Sequence, residues 1–257
     1  MNGSEIAKSG YDNEYDIVEM FNNWQSSHDA KSMLKEMGYN PEKLPGDDNE
    51  DWNISVLAIK IPGTGKSDIK ITINGEDKLI SAKKYKPDAD YNHVARSSVK
   101  NYHKVFKFNP LALECLEVFT GERLPSDNPD ILIKDVDSIK SYKRANLREI
   151  KEKYVESVLE FFGSNVRDIL DYIFYGDGDD RPDYMIITEA GLPSKYYLIP
   201  MSEVVDFYFG NGQVEMSPGG SLKIGNFITA QRKGGTGGPT NLQFKFKPSA
   251  IVKERSC

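Results

Sequence analysis

The fold is decided by the stretch Ser67-Asp68-Ile69-Lys70-Ile71-Thr72-Ile73-Asn74-Gly75-Glu76-Asp77-Lys78-Leu79-Ile80-Ser81-Ala82-Lys83-Lys84. Two runs of alternating apolar and polar residues flank Asn74-Gly75, which is the strongest short-range signal of a β-hairpin. If residues 74–77 form a four-residue loop, Ile73 lies opposite Lys78 and the numbers of paired residues sum to 151. Because side chains alternate along a strand, this register assigns each residue to one of two faces.

The predicted register separates an apolar face from a polar one. The apolar face contains Ile69, Ile71, Ile80 and Ala82. On the polar face Asp68 lies opposite Lys83, and Lys70 lies opposite Ser81. A carboxylate held beside a lysine is the minimum arrangement of a metal-dependent phosphodiesterase of the Asp…(Asp/Glu)-x-Lys kind. Ser81 occupies the position where that arrangement expects a second acid.

The alternative for this pair is a solvated ion pair between neighbouring strands, which contributes about 0–1 kcal/mol. Short motifs of this kind match many unrelated proteins. Two features favour a catalytic role. Packing of the apolar face fixes the polar face, and the pair lies in a basic segment that continues through Lys84 and Lys86. On the hairpin alone, both interpretations stay open.

The distribution of charge indicates a surface for a polyanion. The chain has 257 residues and a net charge of −6. Between Lys60 and Lys107, eleven Lys/Arg oppose five Asp/Glu, and from Ser221 to Cys257 seven oppose one. Each of these two blocks carries +6, so the other residues carry −18. Two basic blocks on an acidic chain are typical of a localised nucleic-acid interface.

Composition also indicates the compartment. No apolar run reaches the roughly 18 residues of a membrane span, so no membrane partner is expected. Residues 1–5 lack the charged and apolar regions of a secretory signal. Cys115 and Cys257 are far apart in the sequence, and no structural disulfide is expected. These features favour a protein of the reducing cytoplasm.

Three other motifs do not support an alternative chemistry. Gly65-Lys66-Ser67 resembles the end of a phosphate-binding loop, but Lys60 stands where that motif requires glycine. Asp177-Gly178-Asp179-Asp180 lacks the ligand offsets of a calcium loop and is predicted to be a surface turn. The histidines lack the spacing of zinc ligands: His28, His93 and His103.

A series of blocks along nearly the whole chain carries a family resemblance. The blocks are Gly10-Tyr11-Asp12-Asn13-Glu14-Tyr15-Asp16-Ile17, Lys66-Ser67-Asp68-Ile69, Ser81-Ala82-Lys83, Tyr102-His103-Lys104-Val105-Phe106-Lys107-Phe108, Phe119-Thr120-Gly121-Glu122, Ser217-Pro218-Gly219-Gly220-Ser221, Gln231-Arg232-Lys233-Gly234-Gly235 and Leu242-Gln243-Phe244-Lys245. Together they resemble the small Type II restriction endonucleases of the HinP type, which belong to the PD-(D/E)xK superfamily and cut GCGC. The resemblance implies an α/β, restriction-endonuclease-like fold with a mixed central sheet flanked by helices.

The resemblance also implies a site. Asp68 would be a metal ligand and Lys83 the active-site lysine. Mg²⁺ held by Asp68, the main-chain carbonyl of Ala82 and the scissile phosphate would activate water for hydrolysis of a DNA phosphodiester. Lys83 would stabilise the charge of the transition state, and Ser81 would hold a water of the metal ion by hydrogen bonding. Glu14, in the predicted N-terminal helix, is the candidate for the missing acid.

The residues predicted to contact DNA lie in the two basic blocks. They are Lys84, Asn92, His93, Arg96, Lys100, Gln231, Arg232, Lys233 and Gly234. Arg and Lys side chains commonly read guanine edges, and glycines let the backbone approach the duplex closely. For each residue the alternative is a phosphate contact, which positions the protein without specifying a sequence. Residues 92–106 are predicted to form one helix.

Two positions depart from the family pattern. Ser81 and His93 both stand where glutamine is expected. The absence of a second acid at position 81 is therefore shared with the family. If position 93 reads a base, the change to His93 bears on the exact target sequence.

We expect a single domain over residues 1–257, with residues 184–257 as a candidate C-terminal DNA-recognition lobe. The expected partner is double-stranded DNA. A double-strand cut at a palindrome requires either a homodimer or two sequential nicks. The family implies a cognate DNA methyltransferase that is not a physical partner. The competing class is a non-catalytic, sequence-specific DNA-binding protein, which would need neither Asp68 nor Lys83.

Overall fold

The structure is a computed structural model, and it describes residues 3–42, 52–63, 65–86, 90–139, 143–232 and 240–255. The described helices are α1 (Gly3–Asn22), α2 (His28–Glu36), α3 (Val99–Phe106), α4 (Pro110–Thr120), α5 (Glu152–Ser164), α6 (Val166–Tyr175), α7 (Met201–Gly210) and α8 (Pro248–Arg255). The described strands are β1 (Val56–Lys60), β2 (Ile69–Ile73), β3 (Glu76–Tyr85), β4 (Asn92–Ser98), β5 (Tyr184–Glu189), β6 (Lys195–Pro200), β7 (Val214–Met216), β8 (Leu222–Ile224), β9 (Ile228–Arg232) and β10 (Asn241–Phe246). Among these helices, none is both long and apolar enough to cross a bilayer.

The chain divides into two compact units. The first contains the residues up to Asp90, Tyr175–Val204 and the residues from Pro248 on. The second contains Tyr91–Phe174 and Val205–Lys247. Residues 184–257 thus contribute to both units, and a single domain with a C-terminal lobe stays a prediction.

The first unit is built on a mixed five-stranded sheet in the order β1-β2-β3-β5-β6. Strands β3 and β5 run parallel, and the other neighbouring pairs run antiparallel. Helix α1 packs on the sheet through apolar residues that recur at helical spacing. The buried residues at this contact include Ile17 and Phe21 of the helix, Trp24 in the turn that follows it, and Ile69, Ile71, Ile73 and Ile80 of the sheet.

The turn of the β2–β3 hairpin is shorter than predicted. Asn74 and Gly75 have positive φ angles of 51° and 86°, as a two-residue hairpin turn requires. Ile73 therefore pairs with Glu76 instead of Lys78, and the predicted register is wrong by two positions. Because side chains alternate with a period of two, a shift of two positions leaves each residue on its predicted face.

The second unit contains an antiparallel five-stranded sheet in the order β4-β10-β9-β8-β7. One face of β10 is buried, since its residues alternate between buried and partly exposed along the strand. Helices α3, α5, α6 and α7 contribute to an aromatic core with this face. The largest of its buried side chains are Tyr102, Phe162, Phe174, Tyr208, Phe244 and Phe246.

The helix predicted over residues 92–106 is wrong in its first half. Residues 92–98 form β4, which pairs with β10 from Asn92 opposite Phe246 to Ser98 opposite Asn241. Helix α3 begins only after Ser98, whose side chain accepts a hydrogen bond from the Asn101 N–H at 3.1 Å. The local sequence could not show the strand, because its partner is more than a hundred residues further along the chain.

Candidate active site

Asp68 lies at the start of β2, where the main chain is held on both sides. Its N–H donates to the Ile80 carbonyl at 2.8 Å, and its carbonyl accepts from the Ile61 N–H at 2.9 Å. These bonds continue the β1–β2–β3 ladder by one residue beyond β2. The backbone of Asp68 is thus fixed by the sheet, and its side chain alternates to the face opposite the buried Ile69.

The Asp68 carboxylate is the acceptor for three groups of β3. Its Oδ2 accepts from the Ala82 N–H at 2.7 Å, from Lys83 Nζ at 3.1 Å and from Ser81 Oγ at 3.4 Å. Lys83 Nζ also donates to the Ala82 carbonyl oxygen at 3.0 Å. The side chains of Lys83 and Asp68 are 17% and 25% exposed, so the pair is shielded from solvent but open on one side. The hairpin therefore brings Asp68 beside Lys83, as the sequence predicted. It also brings Ser81 to Asp68, whereas the predicted register placed Ser81 opposite Lys70.

A second lysine, which sequence analysis assigned no role, lies beside this cluster. The pKa of Lys66 is lowered to about 8, first because the ammonium group is buried and then because of the positive charge of Lys83. Asp180, Asp177 and Asp68 oppose this shift. The main-chain N–H of Lys66 donates to Asp180 Oδ2 at 2.6 Å. In the sequence, the contact between Lys66 and the 177–180 segment is indicated only by the basic character of the first segment and the acidic character of the second.

Glu14 is engaged elsewhere. Its Oε2 lies 2.7 Å from Nζ of Lys60 as a charge pair, without hydrogen-bond geometry. The same ammonium group lies 3.5 Å from the ring centroid of Tyr11 and 5.0 Å from that of Tyr15. Lys60 pairs with Ile69 in the sheet, on the face that packs against α1. Within the described residues, no hydrogen bond or ion pair joins Glu14 to Asp68, and its role as an acid of the site stays a prediction.

Oxygen atoms that could hold a metal ion converge at Lys83. The Asp68 carboxylate and the Ala82 carbonyl both lie within 3.1 Å of its ammonium nitrogen, so one cation already contacts both oxygens. Carboxylate and carbonyl oxygens are the donor type that Mg²⁺ prefers. Over the described ranges, no group of three or more His, Cys, Asp or Glu side chains is arranged around a common point. These two oxygens are thus the atoms of the cluster whose chemistry suits a divalent metal ion.

The second unit carries a polar sheet face. Arg96 of β4, Gln243 of β10 and Gln231 of β9 lie opposite one another on three adjacent strands. A parallel row contains His93, Lys245, Thr229 and Lys223. Directly paired residues share a face, so these two rows form one polar surface, here called the polar face of the second sheet. In the described parts of the chain, the side chains of Arg96, Gln231 and Gln243 form no hydrogen bond with one another or with other residues.

Not every residue predicted to contact DNA lies on this polar face. Arg232 alternates to the buried side of β9, where its Nη1 donates to the Ala145 carbonyl at 3.1 Å. Burial and the charge of Arg144 lower the pKa of the Arg232 guanidinium group. Its guanidinium group also lies over the ring of Phe119, 5.8 Å from the centroid. Gln243 and Lys245, which complete the polar face, had been assigned no role from sequence.

The remaining candidates are distributed around the two sheets. Lys84 follows Lys83 on β3 and lies on the other face of the strand, opposite the buried Thr188. Asn92 pairs with Phe246 at the beginning of β4. Lys100 is exposed in the first turn of α3. The predicted contacts at residues 233 and 234, Lys233 and Gly234, lie outside the described residues.

Comparison with known proteins identifies the class. The crystal structure of restriction endonuclease MspI in complex with its cognate DNA aligns with a TM-score of 0.54 and 12% identity, over 95% of this chain and 93% of that chain. At this identity the similarity shows the fold, which is the α/β restriction-endonuclease-like fold predicted from sequence. Among curated proteins, no sequence matches significantly.

The family is shown by a match between a family model and the sequence of the chain. The family model described as R.HinP1I restriction endonuclease matches residues 52–252, which is more than half of the chain. The chain belongs to this family, and the predicted resemblance is confirmed. It is therefore a restriction endonuclease, a nuclease that binds DNA and hydrolyses it at specific sites.

Proposed function

We propose that this chain is a Type II deoxyribonuclease that hydrolyses phosphodiesters of double-stranded DNA with Mg²⁺ at the tetranucleotide GCGC. The observation that carries the proposal is the convergence of the Ala82 N–H and Lys83 Nζ on one oxygen of Asp68, at 2.7 and 3.1 Å. A solvated cross-strand ion pair would need neither the main-chain bond nor the shielding of the two side chains. A preorganised carboxylate and ammonium group are what a phosphodiester hydrolase needs.

The donor atoms suit the proposed metal ion. Asp68 and the Ala82 carbonyl would hold Mg²⁺, and waters and phosphate oxygens commonly complete such a site. When bound, Mg²⁺ would neutralise phosphate charge and lower the pKa of a water molecule. Lys83 now donates hydrogen bonds to both of these oxygens. When the metal ion binds, Lys83 would give up these bonds, and its positive charge would stay beside the site.

The residues of the chain then have distinct tasks. Lys83 would donate hydrogen bonds to the phosphate as negative charge develops on it. Asp68, held by the Ala82 N–H, would keep a fixed orientation during the reaction, so that little reorganisation is required. Ser81 would hold a water molecule through its hydroxyl group, which is a weaker interaction than direct ligation by an acid.

Sequence reading is assigned to the polar face of the second sheet. Arginine and glutamine side chains pair with guanine and adenine edges in the major groove, and Arg96, Gln243 and Gln231 lie in one row there. His93, in the next row, is the family departure that bears on the exact target. That GCGC is the target rests on the family resemblance alone.

A palindromic target constrains the assembly. Two copies of the chain acting together, or one copy nicking twice, would cut both strands. The proposal also implies a methyltransferase that modifies the same sequence and does not bind this chain. A time course on supercoiled plasmid separates the two routes, because sequential nicking accumulates the open circular form.

The test is cleavage of plasmid DNA with the purified chain and Mg²⁺, with EDTA as control and the fragment ends mapped. Discrete Mg²⁺-dependent fragments that all end at GCGC are expected. Fragments that all end at another fixed sequence would support the nuclease activity but overturn GCGC as its target. Retarded, intact DNA with Mg²⁺ present would overturn the enzyme and leave the competing DNA-binding class.

A further inference from the structure

The loop between α6 and β5, residues 176–183, contacts both chain segments that carry the candidate catalytic residues. One end of the loop bonds to the segment before Asp68. The other end bonds to β3 just before Ser81. From its sequence, this loop is predicted to be only a surface turn. Asp179 is exposed as predicted, but Asp180 is half-buried, and its bonds are directed inward.

Asp180 holds the two residues that precede Asp68. Its Oδ2 accepts from the Lys66 N–H at 2.6 Å, and its main-chain carbonyl accepts from Ser67 Oγ at 2.6 Å. Ser67 is only 4% exposed, so its hydroxyl group has little access to water as an alternative partner. A buried polar group that loses its partner is costly, and this makes the contact specific.

The approach of Asp180 to this segment is unusually close. A Cβ atom on Gly65 would lie 1.8 Å from Asp180 Oδ2, which is far inside van der Waals contact. Only glycine at position 65 therefore permits the bond to the Lys66 N–H. Gly65, which begins the segment that resembles the end of a phosphate-binding loop, instead gives a carboxylate access to the main chain.

Asp183 makes the corresponding contact with β3. Its Oδ2 accepts from the Leu79 N–H at 2.7 Å, and its own N–H donates to the Leu79 carbonyl at 2.8 Å. The parallel pairing of β3 with β5 begins at the next residue, Ile80 opposite Tyr184. Asp183 thus fixes the register of the strand that carries Ser81 and Lys83.

We propose that Asp180 and Asp183 are positioning residues that hold the Asp68 segment and the Ser81–Lys83 strand in their reactive arrangement. The proposal rests on the proposed function, because it assigns these two aspartates to the same hydrolysis. Neither carboxylate is assigned a contact with DNA or metal. Each acts through hydrogen bonds to the main chain of its neighbour.

The test compares Asp180→Ala, Asp180→Asn and Asp179→Ala in cleavage of a GCGC duplex by the full chain. Asp179→Ala removes the same charge from the same loop but no contact of this kind, so it is the matched control. Asp180→Ala is expected to lower kcat about 100-fold, the effect of a misplacement of about 1 Å, with KM for DNA unchanged. Asp180→Asn keeps an oxygen acceptor and is expected to recover activity to within about tenfold of the unmodified chain.

A second pair of variants covers the case in which Asp180→Ala does not fold. Ser67→Ala removes the other bond to the loop, and Asp183→Asn weakens the bond to Leu79. Both are expected to lower kcat without changing KM, in protein whose circular dichroism matches the unmodified chain.

Several outcomes would overturn the proposal while the proposed function stands. They are an unchanged kcat in folded Asp180→Ala, an equal loss in Asp179→Ala, or a loss confined to KM. If Asp180→Ala does not fold, an unchanged kcat in Ser67→Ala and Asp183→Asn overturns it. Failure of the unmodified chain to cut any DNA would instead overturn the proposed function.

Discussion

The two polar sheet faces of this protein differ in how their side chains are used. Around Asp68, the polar groups are bonded to one another, and one carboxylate oxygen accepts from Ser81, Ala82 and Lys83. On the polar face of the second sheet, Arg96, Gln231 and Gln243 lie side by side without hydrogen bonds to other described residues. This difference is what the proposed roles require, because groups that perform chemistry need a fixed orientation, whereas groups that read base edges need free donors and acceptors.

The largest effect is expected from replacing Lys83, the cation that is held beside Asp68. Lys83→Met should lower kcat about 1,000-fold, because the charge of the transition state loses a preorganised donor. Binding of the target duplex without metal should change little. Single-turnover cleavage and a metal-free binding assay measure the two quantities.

Lys78→Met is the matched control for this prediction. Lys78 lies on the same strand, near the hairpin turn, and pairs with Glu76 at 3.5 Å. It should cut at the rate of the unmodified chain. A Lys83→Met variant that cuts equally fast would show that Lys83 has no part in the mechanism. The proposed difference in role between the two polar faces would then fail.

The next effect concerns recognition by the second face. Arg96→Ala or Gln243→Ala should reduce discrimination by about 1–3 kcal/mol. Discrimination here is the difference in binding free energy between the target and a duplex with one base pair changed. The value of kcat at saturating DNA should be preserved. Competition binding with the two duplexes measures the difference, and Arg148→Ala, exposed elsewhere in the second unit, is the control. An equal loss on both duplexes would reassign the residue to a phosphate contact.

Arg232 tests whether the buried side of the same strand is structural. Its guanidinium group bonds to the Ala145 carbonyl, so Arg232→Met should lower the free energy of unfolding by about 1–3 kcal/mol. Discrimination between target and altered duplex should stay the same. Urea denaturation and the same competition assay check both. A loss of discrimination with unchanged stability would return Arg232 to the recognition surface.

The smallest effect on cleavage is expected at Glu14. Because its carboxylate pairs with the largely buried ammonium group of Lys60, Glu14→Gln should lower the free energy of unfolding by about 1–3 kcal/mol and leave cleavage unchanged. Thermal denaturation and a Mg²⁺ titration of cleavage measure the two. A large rise in the Mg²⁺ concentration needed for cleavage would establish Glu14 as the missing acid.

Local sequence was sufficient to predict the candidate catalytic hairpin but not its surroundings. Alternation placed Asp68 and Lys83 on one face even though the turn was two residues shorter than expected, since the period of a strand is two. β4 was missed because its pairing with β10 is a long-range property. Asp180 was missed for the same reason, because nothing near it in sequence indicates that its carboxylate reaches the main chain of Lys66.

The parallel pairing of β3 with β5 also has a consequence for the order of synthesis. The 98 residues between Tyr85 and Tyr184 must leave the ribosome before β3 gains this neighbour. Asp180 and Asp183 belong to that late segment, so a nascent chain that ends before it has Asp68 and Lys83 but not the hydrogen bonds from the 176–183 loop to their neighbours. Contacts of such sequence separation form slowly. The candidate active site therefore gains these contacts only after the chain has been synthesised through Tyr184.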